Sequence, residues 1–519
     1  IDALFKEEKT KTESLTVPKR NGRESVSLRS TKMICNTTGL ALLTVVCVVA
    51  MLSVPSASLA DDLHKWIDPT DEVVSHHVLW AKPSFDGPLR VLFITHRKGL
   101  REVVEICQRF EIARDVAAVE RGNVFHSSLT GTAGRAWKLT DQKSTEDIFR
   151  RKLAKDYDCI VVANIRWDIL PHWVRTEILT KVRSGAGLVC RLRGLADNAL
   201  DAAMEKPVSP LPAFSASPFT TISGFAGSKD FSELAARYLR FATIGKGRVV
   251  RLVNLPSPYD SYLADSLQIL TPECQSPFPY SFTTHYEYHL AFVGQLLRWA
   301  SGRTPGCRVA SDGTTTSLRL DEPKPIAFSL ESTQAASFHL DFSLRDAESG
   351  DIVFSAGRDV LLSPGRQTVN FEIEEPAGGS YFADLWVKQE GKTVDYGSKF
   401  VLILGPIAIS DLVLEKDAFK TSETIKGRVS ITEPGAELKV RVGQWDNHGR
   451  LVAEQVMPAA GAKELRFELR STTPLTVLQT IEARLIRNGR TLDMQRRRFT
   501  YRDLFPLKDD VLCVVWQNF

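Results

Sequence analysis

The sequence predicts a multidomain chain in which one α/β layered domain precedes two antiparallel β-sandwiches. Residues 157–194 read as strand, loop, helix and strand, a βαβ unit. After Cys307 the apolar pattern changes to short alternating runs parted by turn residues, and this pattern occurs twice before Tyr501. At 519 residues the chain is too long for one core and fits roughly three or four domains of about 100–200 residues each.

The α/β domain is expected over residues 88–306. Residues 89–95 (Leu-Arg-Val-Leu-Phe-Ile-Thr) have too few polar positions for a strand that faces water, the mark of a parallel strand covered on both sides. A helix over 100–110, a strand over 116–120 and a helix over 144–155, with Ser144 as its cap, come next. Residues 157–164 are an apolar strand, 170–183 carry helical spacing, and 185–192 (Gly-Ala-Gly-Leu-Val-Cys-Arg-Leu) form a second buried strand. Residues 205–230 are rich in Pro, Ser, Gly and Phe without a period and read as a surface excursion. A helix over 231–241, a strand over 247–255 and a closing helix over 288–300, on which Leu290, Val293, Leu297 and Ala300 share a face, complete the unit.

The first sandwich is expected over 307–404, with strands at 326–330, 337–344, 352–355, 369–373, 381–389 and 399–404. The second, over 405–501, has strands at 407–414, 424–432, 437–446, 451–456, 464–469, 480–487 and 491–501. Strand number and spacing point to the immunoglobulin-like type. Phe382, Trp386 and Trp445 read as core aromatics rather than sugar platforms. Residues 502–519 belong to neither sandwich, and the apolar run 509–516 looks like the first strand of a truncated further domain.

Composition is that of globular protein, 43% hydrophobic and 25% charged, and a net charge of +4 gives no field favouring nucleic acid or an anionic membrane. The apolar run 39–52, closed by Pro55 and followed by the small residues Ser58 and Ala60, has the form of a signal peptide cleaved before Asp61. Residues 1–60 are thus expected to be a leader, 61–87 a linker, and the protein exported to the periplasm or outside. The alternative is a membrane anchor through 39–54, a stretch at or below the short end of the range of about 17–25 residues that spans a bilayer. Cys107, Cys159, Cys190 and Cys513 sit in apolar stretches and read as buried hydrophobes. Cys274 and Cys307 fall in Pro-containing loops, where an oxidising compartment would let them pair. Ligand spacing for a metal is missing, as is a Gly-x-Gly-x-x-Gly turn after the first strand, so neither a metal nor a cofactor is expected. Arg496, Arg497 and Arg498 read as a solvated strand edge.

One candidate site follows from topology. Ligands of open α/β sheets bind beyond the carboxyl ends of the strands, and here those ends carry His96, Arg97, Arg166, Trp167 and Arg193. Three guanidinium groups and an aromatic plane suit a carboxylate, a sugar or a partner domain. The competing reading is that they pair with acids such as Asp168 and Asp197.

The passages 156–194, 286–303 and 509–516 carry a resemblance to a known family. The α/β domain resembles the flavodoxin-type fold of class I glutamine amidotransferases, and the whole order resembles large secreted bacterial glycoside hydrolases of the beta-galactosidase type. In working amidotransferases a Gly-x-Cys-x-Gly turn follows the strand that ends here at Leu192-Arg193-Gly194, so the resemblance implies a domain without its nucleophile. His285-x-Glu287 is similar to the His-x-Glu pair of that triad, and without a nucleophile it reads as polar residues at a helix entry. The resemblance places sugar-hydrolysing carboxylates in a barrel of which this chain has almost nothing, so no catalytic residue is assigned. The expectation is a non-catalytic accessory region of an exported glycoside hydrolase-like protein acting on carbohydrate, with a free-standing exported binding or scaffolding protein as the alternative. Carbohydrate or a partner domain is the expected ligand, and an oligomer is left open.

Overall fold

The computed structural model describes residues 74, 76–96, 99–119, 142–165, 167, 170–192, 198–204, 206–222, 225, 228–253, 270, 284–310, 315–320, 325–374, 377–470 and 476–503. The expected leader and the expected terminal strand at 509–516 lie outside the described residues. The described residues are mostly β-sheet.

The N-terminal layer comprises β1 (Leu89–His96), α1 (Leu100–Arg109), β2 (Ile112–Val119), α2 (Gln142–Leu153), β3 (Cys159–Ile165), α3 (His172–Ser184), β4 (Gly187–Leu192), α4 (Asn198–Ala203), β5 (Lys206–Pro207), α5 (Phe231–Tyr238), β6 (Leu239–Ile244), β7 (Gly247–Leu252) and α6 (Thr284–Ala300). The strands form one sheet in the order β2-β1-β3-β4-β7-β6-β5, parallel from β2 to β7 and antiparallel beyond. Alternation explains the apolar strands. On β1, Val91 and Phe93 join one core with Val103 and Ile106 of α1 and Leu290 and Val293 of α6. Leu92 and Ile94 join the other with Phe149 of α2 and Val174 and Ile178 of α3. Both faces are covered, so neither tolerates polar side chains.

Two local expectations need correcting. α2 starts at Gln142, so Ser144 lies within the helix rather than capping it. The helix expected over 231–241 ends at Tyr238 and turns directly into β6, whose Phe241 and Ile244 are needed in the sheet. Its start is capped by Asp230, whose carboxylate accepts the Glu233 N–H at 2.9 Å.

The first sandwich consists of β8 (Cys307–Ala310), β9 (Thr315–Arg319), β10 (Ile326–Ser332), β11 (Ala336–Asp346), β12 (Ile352–Leu362), β13 (Gly365–Phe371), β14 (Gly379–Gln389) and β15 (Lys392–Leu404). The second consists of β16 (Ile409–Leu414), β17 (Ala418–Phe419), β18 (Ile425–Ile431), β19 (Leu438–Asp446), β20 (Leu451–Pro458), β21 (Glu464–Leu469), β22 (Leu478–Arg487) and β23 (Arg490–Tyr501). Each packs a three-stranded sheet on a five-stranded one, in the orders β13-β10-β8 with β12-β11-β14-β15-β9, and β21-β18-β16 with β20-β19-β22-β23-β17. The second therefore repeats the first strand for strand. It does so even in the departure from antiparallel pairing, since β9 runs parallel to β15 and β17 parallel to β23. The two-residue hairpin of each copy has positive φ at both positions, Glu390 (51°) and Gly391 (74°) in one and Asn488 (49°) and Gly489 (80°) in the other. That is the turn whose twist matches a hairpin.

α6 is buried on nearly every side, its polar residues Glu287, His289, Gln295 and Arg298 included. Its tightest approach is at Gly294, where a Cβ would lie 2.3 Å from the Phe110 ring and 2.7 Å from the Tyr396 hydroxyl. Gly294→Val is expected to destabilise by about 1–3 kcal/mol through overpacking. Gly306→Val, where nothing lies within 4 Å, should move stability by no more than about 0.5 kcal/mol. Urea denaturation midpoints compare the two, and equal shifts would contradict the packing described.

Candidate functional site

The sheet brings the ends of β1, β3 and β4 together. β1 pairs with β3 at Thr95 and Ala163, and β3 with β4 at Ile165 and Leu192, so the strands that precede Arg97, Arg166 and Arg193 end side by side. Those three residues, the His96 side chain, Asp168 and Asp197 lie outside what is described. Trp167 is described and is a correction. It is only 2% exposed and belongs to the apolar layer with Ile165, Leu170 and Val174, so its ring is core rather than a platform at the rim.

Glu287, read from the sequence as a polar residue at a helix entry, is a buried bolt. Its Oε2 accepts from Arg109 Nη2 at 2.6 Å, and its Oε1 from Arg109 Nε at 3.0 Å and Trp80 Nε1 at 2.8 Å. Arg109 Nη1 donates to Glu105 Oε2 at 2.6 Å, one turn back on α1. Burial by itself would lower the Arg109 pKa, but the charges and hydrogen bonds of Glu287 and Glu105 outweigh it and hold the guanidinium above its usual range. Burial holds the neighbouring His285 below its ordinary value. A carboxylate clamped in this way is in no position to orient a catalytic imidazole. Trp80 also shows that the linker expected over 61–87 is, across its described part, a packed segment. Ala81 pairs with Phe110, Ser84 with Thr393, and the Phe85 N–H donates to the Thr393 carbonyl at 2.9 Å.

The same polar chemistry joins the α/β layer to the first sandwich. Asp384 on β14 accepts from Tyr288 Oη of α6 at 2.9 Å, Ser398 Oγ at 2.8 Å and Arg345 Nε at 3.3 Å. Asp395 on β15 accepts from Ser215 Oγ at 2.6 Å, the Val309 N–H at 2.8 Å and Arg298 Nη1 at 3.1 Å. Burial raises both carboxyl groups above the usual range against the pull of these donors. Around them Tyr288 stacks on Phe382 at 4.2 Å between centroids, and Trp80 on Trp386 at 5.4 Å. The supposed surface excursion at 205–230 runs through this seam. The Ala216 N–H donates to the Val309 carbonyl and the Ser398 N–H to the Ala216 carbonyl, both at 2.9 Å, while Phe214, Ser215 and Phe219 are buried. It lacks a period because two different domains cover it.

Between the sandwiches, Arg496 bridges Asp346 at 2.7 Å and Glu482 at 2.9 Å, so the first residue of the arginine run is a junction residue and not a solvated edge. Arg497 pairs with Asp417 at 3.2 Å on the surface. A cavity of about 250 Å³ opens here, lined by Asp346, Asp351, Glu374, Tyr381, Arg484 and Arg496. The Asp346 carboxylate in it is also taken by the N–H groups of Glu348 and Ser349. Cys307 is buried in the sandwich core, and Cys274 lies outside the described residues. Among the described residues no His, Cys, Asp or Glu cluster is arranged for a metal ion, and no helix is long and apolar enough to cross a membrane.

No protein family and no curated protein matches the chain. Among solved structures it is similar to a tetra-tandem repeat from the extending region of a large adhesion protein, at 13% identity and a TM-score of 0.15, covering 36% of this chain and 49% of that one. It is also similar to an FMN-binding beta-glucuronidase from Facaelibacterium prausnitzii L2-6, at 11% identity and a TM-score of 0.16, covering 34% and 33%. The third is the FN1-FN3 domains of chicken CNTN1, at 11% identity and a TM-score of 0.15, covering 38% and 71%. The chain spans about half the length of the first of these and a third of the second. TM-scores this low carry no argument about fold or function.

Two predictions follow from the electrostatics. Arg109→Met leaves Glu105 and Glu287 buried without their shared counter-charge and is expected to cost about 3–5 kcal/mol in chemical denaturation. A loss below about 1 kcal/mol would mean that the carboxylates reach water. The second concerns His339 on β11, whose Nδ1 lies 2.7 Å from Asp359 and Nε2 3.1 Å from Asp341. The bond to Asp359 is the main cause of a raised imidazole pKa. Its stabilising effect is complete below the unfolded value of about 6.5 and is lost as pH rises through the folded value. An NMR titration should place His339 above about 6.5 and Asp359→Asn should lower it, whereas a folded value at or below about 6.5 would contradict the geometry.

Proposed function

We propose that this chain is a non-catalytic accessory region of an exported glycoside hydrolase-like protein acting on carbohydrate, built to hold domains in fixed relation. In this reading the N-terminal layer is a class I glutamine amidotransferase-like domain of flavodoxin type, and the two modules after it are immunoglobulin-like. The parallel order β2-β1-β3-β4-β7 with helices on both faces supports the first part, since doubly wound flavodoxin-type sheets share it. The observation that carries the functional part is the engagement of Glu287 with Arg109 and Trp80. The carboxylate that would belong to a triad serves domain packing, and in the sequence Arg193 and Gly194, not a nucleophile, follow the strand that would lead to one. The side chains best placed to do chemistry, Asp384, Asp395, Arg298 and Tyr288, are likewise engaged in the seam with the first sandwich.

The purified chain is expected neither to release ammonia from glutamine nor to cleave aryl glycosides. A glutaminase rate that disappears on Cys190→Ser would overturn the accessory reading, because it would put a working nucleophile at β4. Reading the gene past Phe519 tests the assembly. A (β/α) barrel with two carboxylates at strand ends supports the accessory role, and a stop codon within a few residues favours a free-standing scaffold.

A further inference from the structure

Another cavity, of about 200 Å³, opens where the α/β layer meets the small sheet of the first sandwich. The wall given by the layer is aromatic. It consists of Phe214 and Phe219, both buried, and the half-buried Phe231 at the start of α5. Ring centroids are 4.9 Å apart between Phe214 and Phe231 and 5.9 Å between Phe219 and Phe231. The wall given by the sandwich is charged and carries Arg308, Glu331 and Arg366. Strand register explains why these three stand in one row: Arg308 on β8 lies opposite Glu331 on β10, and Glu331 lies opposite Arg366 on β13. Their chain neighbours Val309 and Leu330 are fully buried in the sandwich core, so alternation turns the row to the outer face of the sheet.

Two guanidinium groups and one carboxylate leave the row with a surplus of one positive charge. Arg308 Nη2 donates to Glu331 Oε2, while Arg366 Nη1 stands 3.9 Å from Glu331 Oε1 with its side chain 54% exposed. Glu331 is the one carboxylate in the lining. Asp395, reached through the lining Ser215, is already held by that hydroxyl, the Val309 N–H and Arg298. Burial and, after it, the charge of Arg366 keep the Lys399 ammonium below its usual range, as a positive local field would. An anion is therefore favoured, and a guanidinium meets a carboxylate with two parallel bonds. A bare anion would leave the aromatic wall in water, and a neutral aromatic would leave the charge surplus unmatched. A molecule with a carboxylate at one end and a ring at the other satisfies both walls, since aromatic pairs gain from offset or edge-to-face packing beyond the area they bury. Ligand sites favour domain boundaries, and a volume of about 200 Å³ falls below the roughly 300–1,000 Å³ of drug-sized pockets, which limits the occupant to one ring and a short chain.

We propose that this cavity binds a small carboxylic acid bearing one aromatic ring, with the carboxylate on Arg366 and the ring against Phe214, Phe219 and Phe231. The test uses the full chain and three probes. 3-Phenylpropionate has both features, 3-phenyl-1-propanol keeps the ring without the charge, and acetate keeps the charge without the ring. Isothermal titration calorimetry at low salt should show saturable binding of 3-phenylpropionate, about tenfold or more tighter than either control. Arg366→Gln removes the charge at an exposed position and should weaken that binding by about tenfold or more, the usual loss when a hydrogen bond to a charged group is removed. Ala213→Trp, at an exposed position in the lining, fills the cavity and should abolish binding. Unfolding midpoints close to that of the native chain show that both variants are folded. A native chain that takes up no 3-phenylpropionate at millimolar concentrations, equal affinity for the alcohol or for acetate, or undiminished binding in either variant would each overturn the proposal.

Discussion

The contact between α6 and the outer face of the first sandwich's five-stranded sheet is the constraint on which the rest of the molecule depends. An antiparallel sheet in a sandwich usually buries one face and wets the other. Here β14 is buried on both. Ala383, Leu385 and Val387 enter the sandwich core, while Phe382 and Trp386 join the core of the α/β layer. Between those aromatics stands Asp384, which can be buried only because Tyr288, Ser398 and Arg345 satisfy it. The same holds for Asp395 on β15 with Arg298 and Ser215. Removing one partner would leave a charge in a dry seam, so these groups fix the mutual orientation of the two domains more than they add to stability.

The duplicated sandwich uses one structural position twice. Asp384 lies opposite Ser398 in the β14–β15 ladder, and Glu482 lies opposite Arg496 in the β22–β23 ladder. In the first copy the carboxylate takes a hydroxyl from the domain before it. In the second it holds Arg496, whose other contact, Asp346, belongs to the domain before it. Each module thus presents the same region of its large sheet backwards along the chain. The close backbone approach at Gly378, where a Cβ would meet the Leu492 carbonyl at 2.0 Å, is part of the second joint.

What the sequence made legible was periodicity. All seven strands expected in the second sandwich are found with ends shifted by a few residues, because alternating apolar positions and turn residues are local signals. The strand, helix and strand expected over 157–192 are found as β3, α3 and β4. What stayed hidden lacks a local signature. Residues 205–230 and 76–87 look like loop and linker because each is covered partly by the layer and partly by the sandwich, so neither shows the period of a single covering surface. β8 and β9 are too short to show alternation. Nothing in the neighbourhood of Glu287 or of Arg109 says that they meet 178 positions apart. Trp167, next to an arginine at a strand end, looked like a platform, and only the packing of α3 shows why its ring turns inward.

Hydrogen exchange followed by mass spectrometry on the full chain, with and without Leu385→Ala, tests the central claim most directly. Leu385 faces only the core of the first sandwich, and removing its side chain should cost about 2–5 kcal/mol. If the α/β layer and the first sandwich are one cooperative unit, the amides of α6 lose protection in step with those of β14 and β15. Protection of α6 that stays at its native level while the sandwich strands open would contradict the account and reduce the seam to a contact between independently stable domains.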